Sequence, residues 1–547
     1  MYIGANYINM VIKNQGLFIL TTIFLIFLTF FILKSFTTMV KVPFYDFDEA
    51  HRAEKAKRMK EYVSFLVPLT GSPQDRTGDL RVPVKENPEL FLYYHPERPP
   101  LVYWLMIAST SLFGSIEWAY RLPSFLMALS TIAIVIFFAL KKNFNLMALF
   151  IGLLSLVTSA DLWLSGQYAQ LDTSLTFFLT LYLLTLISYV ETKRNSLLLV
   201  SGISFSLAVL SKGQPAIIFI FPLIFLVLSR KMGKREIIRF FAYSGIILIP
   251  WLFLLNIYFG LGKVLKIFTE FAAYSSVIGY SFTRAPVFWY VRWWWDMLRP
   301  GWTLFLSLLI FDLYYHNLNW KKLTLLSYIF GGLLLFSVSA NKIWWYVLPL
   351  VPAVAFYIYL SAASYLERNK DRLINLSLCL ILASLSIFFA QINTVTLIYG
   401  FLITALTTLL IFMPPIRIPR VKELILYLAI FISLGFFLLH FPKIVPYHYN
   451  TKAVAGYFST LPAKKCLWVY DMPPEAALFY SNAGEILTLT NHRSIFPNCH
   501  NFLITPAEIG SLNLPYKSLG NIYYVKNRPI VYQKGKMKLV RLNDLTP

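Results

Sequence analysis

One stretch crowds carboxylates and cations together: Tyr45-Asp-Phe-Asp-Glu-Ala-His-Arg-Ala-Glu-Lys-Ala-Lys-Arg-Met59. Asp48 and Glu49 stand at its head, with His51, Arg52, Lys55, Lys57 and Arg58 behind them. A carboxylate so placed can take the proton of an attacking hydroxyl. Arginine and lysine can hold a phosphate and stabilise the charge it gains on leaving. The plain alternative is a helix cap, in which Asp48 accepts backbone N–H bonds and the cations touch anionic head groups.

Further polar signals recur along the chain. His95-Pro-Glu-Arg-Pro-Pro-Leu-Val-Tyr-Trp104 puts Arg98 before two prolines that fix an extended entry into the short apolar run Leu101–Phe113. Gly166-Gln-Tyr-Ala-Gln-Leu-Asp172 places an acid at the start of an apolar run, where it either caps the run or pairs with a cation such as Lys212. Lys212 lies in Leu210-Ser-Lys-Gly213 and Lys342 in Asn341-Lys-Ile-Trp-Trp-Tyr346. Arg284 opens a run with Trp289, Tyr290, Arg292 and Trp293–Trp295, which suits an interfacial belt or the head group of a lipid-linked substrate.

The elements that must position these groups are membrane helices. Hydrophobic residues make up 57% of the 547 and charged ones 14%, against roughly 45–50% apolar content in a soluble domain. The apolar windows predict about 13 spans. They lie near Gly16–Leu33, Trp118–Leu140, Leu146–Trp163, Leu171–Val190, Leu197–Leu210, Pro215–Leu228, Ile237–Phe259, Gly301–Leu313, Leu323–Val338, Trp344–Leu360, Leu373–Ala390, Val395–Phe412 and Leu424–Leu439. No small-residue cleavage site follows the first run, so it reads as a retained helix.

Charge in the short loops sets the orientation. With the N-terminus in the cytoplasm, the inner loops hold Lys13, Lys141, Lys142, Lys193, Arg194, Arg230, Lys231, Lys234, Arg235, Arg239, Lys321, Lys322, Arg368, Lys370, Arg372, Arg417, Arg420 and Lys422, the positive-inside pattern. Lys212 and Lys342 break that pattern on the outer side. The formal charge of +23 is thus a topology signal, and a nucleic-acid partner is rejected. The outer face receives residues 37–117, residues 260–300 and the tail. The membrane domain is predicted over 1–441. Residues 442–547, with alternating short apolar runs and turns, predict a small extracytoplasmic α/β domain. Of the three cysteines, Cys466 and Cys499 fall in the tail, where two free thiols are favoured over a disulfide. No Cys/His spacing suggests a metal. No Walker motif, GxGxxG or nucleophile elbow is present.

These blocks resemble, in order, the bacterial aminoarabinose transferases and, more distantly, the protein O-mannosyltransferases, both C-type membrane glycosyltransferases. Asp48-Glu-Ala-His-Arg-Ala-Glu-Lys-Ala-Lys-Arg-Met59 is similar to that family's segment in the first outer loop. Arg98-Pro-Pro-Leu101 with Trp104, Phe113-Gly114, Arg121-Leu-Pro123, Gly166 with Tyr168 and Asp172, Lys212-Gly213, Pro286 with Phe288-Trp-Tyr290, and Lys342 with Tyr346 follow. The resemblance implies a polyprenyl-phosphate-linked sugar donor and a lipid, protein or glycan acceptor. It implies that Asp48 is the catalytic carboxylate, with Glu49 beside it and Asp172 nearby in the same catalytic group. Arg98, Lys212, Lys342 and Arg284 would hold the donor phosphate. His51, Arg52, Tyr94, His95, Tyr168, Trp289, Tyr290 and Tyr346 would line the substrate. Arg98 stands where the family usually has lysine, and Arg52 where it usually has tyrosine. No cofactor is expected, and a monomer in the inner membrane is. A flippase of lipid-linked sugars and a non-catalytic binding protein are the alternatives.

Overall fold

The computed structural model describes residues 2–44, 48–71, 81–84, 91–96, 98–141, 145–273, 289–290, 301–339, 342–368, 372–385, 394–416, 422–442, 451–461, 465–469, 474–481, 486–488, 500–505, 530–534 and 537–542. The chain is mostly helical. Seven described helices are long and apolar enough to cross a membrane: Phe18–Lys41, Glu117–Leu140, Leu171–Thr192, Asn195–Lys212, Lys234–Phe259, Trp320–Val338 and Trp344–Arg368. The span expected over Leu146–Trp163 is broken. Leu146–Val157 and Ala160–Gln167 meet at a 53° bend and make an eighth span if counted as one. Other apolar helices, such as Leu101–Phe113 and Gly301–Tyr314, are shorter.

The site-bearing elements are α1 (Tyr2–Lys41), α2 (Asp48–Glu61), α3 (Leu101–Phe113), α4 (Glu117–Leu140), α5 (Leu146–Val157), α6 (Ala160–Gln167), α7 (Leu171–Thr192) and α8 (Asn195–Lys212). In α2 the acids occupy the first turn and Arg58 and Lys60 the last, so both ends suit the helix dipole. Ala50, Ala53, Ala56 and Met59 recur down one side and are all buried, against Val102, Tyr103 and Met106 of α3. Small residues there let a highly charged helix pack closely, and Glu49, Arg52, Glu54, Lys55 and Arg58 are buried with it. Glu54 holds Arg58 at 3.1 Å on the same helix and accepts from Gly71 N–H at 3.4 Å. Between α2 and α3, the strands β1 (Leu69–Thr70), β2 (Arg81–Pro83) and β3 (Phe91–Tyr94) form a small antiparallel sheet of order β1-β3-β2.

Deeper in the bundle, one ion pair is wholly buried. Lys322 donates to Asp312 at 2.8 Å, and the other Asp312 oxygen accepts from Tyr357 at 2.9 Å and Ser361 at 2.5 Å. Every partner is satisfied, which is the condition for keeping such a pair in an apolar interior.

In the tail, two helices pack on a five-stranded sheet. Strands β4 (Lys465–Val469), β5 (Ile486–Thr488), β6 (His500–Thr505), β7 (Ile530–Lys534) and β8 (Met537–Leu542) run in the order β5-β4-β6-β8-β7. The β5-β4-β6 pairs are parallel and the β6-β8-β7 pairs antiparallel. The helices Thr451–Thr460 and Pro474–Ser481 bury Val454, Phe458 and Leu478 against Leu467, Val469, Phe502 and Ile504. Cys466 is disulfide-bonded, which corrects the free thiol favoured from the sequence; periodicity cannot show which strands pair across the sheet. Cys379 is free and buried.

Candidate active site

Asp48 opens α2, and its carboxylate pairs with Arg52 at 3.0 Å, one helical turn on. The second arm of the Arg52 guanidinium donates to the Ala169 carbonyl at 3.3 Å. Arg52 is 9% exposed and Asp48 28% exposed, so the acid keeps an open side and the cation does not.

Glu49 points the other way. It is buried, and both its oxygens accept from Arg121 of α4, at 2.7 and 2.8 Å. One of them also accepts from Ala169 N–H at 2.9 Å. Arg121 donates in addition to the carbonyls of Met39, Val42 and Pro43. The pair therefore ties the end of α1, the head of α2 and the turn before α7 onto α4. Its geometry is that of a post holding Asp48 in place.

Asp172, in the first turn of α7, is fully buried and accepts from Lys212 at 2.5 Å. Its other oxygen has no hydrogen-bond partner among the described residues. Lys212 ends α8 and lies 4.2 Å from the centroid of the Tyr346 ring. Gly213 follows with φ +79°, and a Cβ there would meet the Pro99 ring at 3.4 Å. The Arg98-Pro99-Pro100 turn thus lies beside Gly213, next to Lys212. Gly213→Ala is expected to cost on the order of 1–3 kcal/mol, seen as a lower melting temperature in detergent.

These groups converge. Asp48, Arg52, Arg98 and Asp172 all act electrostatically on Tyr346, and Arg52 and Arg98 also act on Lys212. Four chain segments far apart in sequence thus bring two acids and three cations to one place. Tyr290 reaches the same region, where Tyr346 and Asp172 act on it, and its hydroxyl bridges the Ile343 carbonyl and N–H at 3.1 Å each. Lys342 is buried, which pushes its ammonium below the usual lysine range. It donates to the Ser339 carbonyl at 2.7 Å, so its described contact is with its own turn.

The remaining candidates are peripheral to that cluster or frame it. Tyr94 sits at the end of β3, edge-on to Phe259 with the ring centroids 5.4 Å apart. His95 is buried, and its carbonyl accepts from Arg98 N–H at 3.0 Å. His51 is partly buried on α2, Tyr168 closes α6, and Trp289 packs edge-on to Tyr290. Arg284 lies outside the described residues. Among the described residues no group of three or more His, Cys, Asp or Glu is placed to hold a metal.

Sequence reasoning missed three contributors. Arg121 was quoted only as part of a motif, although a cation inside an apolar helix on the side of Lys212 and Lys342 breaks the loop-charge pattern as they do. Phe479 and Tyr480 come from the tail helix Pro474–Ser481. Phe479 stacks edge-on to Phe44 at 4.8 Å and Tyr120 at 5.5 Å. The Tyr480 hydroxyl accepts from Phe44 N–H at 2.9 Å and donates to Glu117 at 3.1 Å. No local pattern announces a contact between positions more than four hundred residues apart.

A polytopic helical protein with paired acids and cations gathered at one end of its bundle is the class this fold and site define. Residues 97–259 match the family model described as dolichyl-phosphate-mannose-protein mannosyltransferase. The fold is shared with ArnT from Cupriavidus metallidurans, solved bound to undecaprenyl phosphate, with a TM-score of 0.66 at 15% identity over 94% of this chain and 97% of that one. The apo state of the same protein matches with a TM-score of 0.64, also at 15% identity, over 95% and 98% of the two chains. An uncharacterized protein of Aquifex aeolicus (strain VF5) is 25% identical over 62% of this chain. The aligned region spans 64% of that relative's own length. The resemblance read from the sequence is thereby borne out.

Proposed function

We propose that this chain is an integral-membrane glycosyltransferase that moves a sugar from a polyprenyl-phosphate-linked donor to a hydroxyl or phosphate of a lipid, protein or glycan acceptor. The observation that carries the reading is the convergence of Asp48 and Asp172 with Arg52, Arg98 and Lys212 around Tyr346. Undecaprenyl phosphate in the ArnT structure and the description of the matched family model support it.

Asp48 is the base. It has the open side, while Asp172 is held by Lys212 and Glu49 by Arg121. The acceptor oxygen attacks the anomeric carbon as Asp48 takes its proton, and the bond to the donor phosphate breaks on the opposite side, inverting the centre. Arg98 and Lys212 hold the phosphate, with Lys342 and Arg284 as further ligands, and stabilise its growing charge. Asp172 anchors Lys212 and offers its second oxygen to a sugar hydroxyl. His51, Tyr94, His95, Tyr168, Trp289 and Tyr290 line the donor and acceptor paths. No cofactor takes part.

The reaction takes place on the outer face of the cytoplasmic membrane, with about thirteen crossings, the N-terminus inside and the tail outside. The loop cations support that orientation, and the Cys466 disulfide suits an oxidising compartment. The test is reconstitution of the purified protein in liposomes with a labelled polyprenyl-phosphate sugar and candidate acceptors. Label moving to an acceptor is expected. Label crossing the bilayer without bond transfer would replace this reading with a flippase.

A further inference from the structure

Each of the three candidate carboxylates has a described ion-pair partner: Asp48–Arg52, Glu49–Arg121 and Asp172–Lys212. Resting on the transferase reading, they differ in what the reaction does to them. Glu49 and Asp172 keep their charges throughout. Asp48 loses its charge when it accepts the proton, so its partner is the one cation left behind. We infer that Arg52 is a transferable counter-ion, paired with Asp48 before reaction and passed to the leaving phosphate as Asp48 becomes neutral.

The charge balance requires such a hand-off. A bond forms between the acceptor oxygen and the anomeric carbon. The bond from that carbon to the phosphate oxygen breaks, and its electron pair stays on the phosphate. The proton goes from the acceptor to Asp48. Asp48 changes from an anion to a neutral acid, while the phosphate changes from a diester carrying one charge to a monoester gaining a second. One negative charge thus leaves the neighbourhood of Arg52 and appears on the phosphate. A guanidinium that is 9% exposed is penalised if left without an anion, so it follows the charge.

The geometry lets it do so. Arg52 holds Asp48 through one arm at 3.0 Å and the Ala169 carbonyl through the other at 3.3 Å. The carbonyl keeps the group anchored while the first arm turns. Its central carbon lies 6.0 Å from the centre of the Trp345 ring, an aromatic surface beside which a guanidinium can shift. Arg52 already acts on Lys212 and Asp172, so the phosphate position proposed between Arg98 and Lys212 is within its field. Lys212 holds its place beside the phosphate throughout, being fixed by Asp172 at 2.5 Å, so the moving cation is Arg52.

The experiment compares Arg52→Gln and Arg52→Lys with the wild-type full-length protein in nanodiscs. Undecaprenyl phosphate is the monoester probe, and a polyprenyl-phosphate sugar turned over by the wild type is the diester. In Arg52→Gln, kcat is expected to fall and product inhibition by undecaprenyl phosphate to weaken by at least about tenfold each. The donor KM should change by less than about threefold, because the diester meets Arg52 while it is still on Asp48. Arg52→Lys, which keeps the charge, is expected to recover part of both losses. A structural role would instead lower the melting temperature and weaken both lipids alike, and that result overturns the inference. Wild-type values of kcat and inhibition in Arg52→Gln overturn it too, with the transferase reading intact. If the wild type neither transfers sugar nor binds undecaprenyl phosphate, the transferase reading itself fails.

Discussion

Asp48→Asn is expected to lower sugar transfer by about 10²–10⁴-fold with donor affinity close to that of the wild type. The substitution keeps the shape of the side chain and removes its ability to take a proton. Asp48 is 28% exposed, so an amide there is not left buried, and Arg52 keeps its bond to the Ala169 carbonyl. Arg52 loses its anion, but the amide oxygen can still accept from it, so the stability cost should be modest beside the loss in kcat. Asp172→Asn makes the contrast. Asp172 is fully buried beside Lys212, so removing its charge leaves a buried ammonium uncompensated. That variant should lose stability and donor affinity together. Initial rates with a labelled donor, beside displacement of bound undecaprenyl phosphate, separate the two patterns. Wild-type turnover in Asp48→Asn would remove Asp48 from the role of base.

How much of this was legible beforehand differs between residues for physical reasons. The membrane helices were visible because lipid demands long apolar runs, and Glu117–Leu140 and Leu171–Thr192 begin within one residue of their expected starts. The pairing of Asp172 with Lys212 was also legible, since each is a lone charge in an apolar setting and needs a partner. The resemblance put Asp48 ahead of Glu49, but the pairing of Glu49 with Arg121 was not legible. Adjacent residues on a helix point about 100° apart, and which faces the open side depends on where α4 and its Arg121 sit. The 53° break after Val157 was hidden for a similar reason. Thr158-Ser159 is polar yet short enough to pass inside an apolar window, and its Thr158 hydroxyl satisfies the Leu154 carbonyl within the helix at 2.7 Å. The contact of the tail helix that carries Tyr480 with Phe44 arises only once the whole chain is folded.

Arg121→Met is the variant expected to damage the fold most. Removing one partner of a buried ion pair costs about 3–5 kcal/mol, and here more than the pair is lost. Glu49 would lose both bonds from the guanidinium, and the carbonyls of Met39, Val42 and Pro43 would lose a donor. The double variant Arg121→Met with Glu49→Leu tests that count. Replacing both ends of a simple buried pair by apolar groups is often neutral or stabilising. If the pair is the whole contribution, the double variant should recover most of the loss. The three carbonyls argue that recovery will be partial, since each unsatisfied acceptor costs about 1–3 kcal/mol. Lys322→Met supplies the control, because it breaks the pair to Asp312 among Tyr357 and Ser361 and touches neither Asp48 nor Glu49 among the described contacts. Both single variants should melt earlier in detergent. Only Arg121→Met should also lose kcat in the fraction that remains folded, because Glu49 is the residue next to Asp48 and its anchor sets where the base points. Equal turnover per folded molecule in the two variants would reduce Arg121 to a stabilising residue and leave the placement of Asp48 to α2 and the tail.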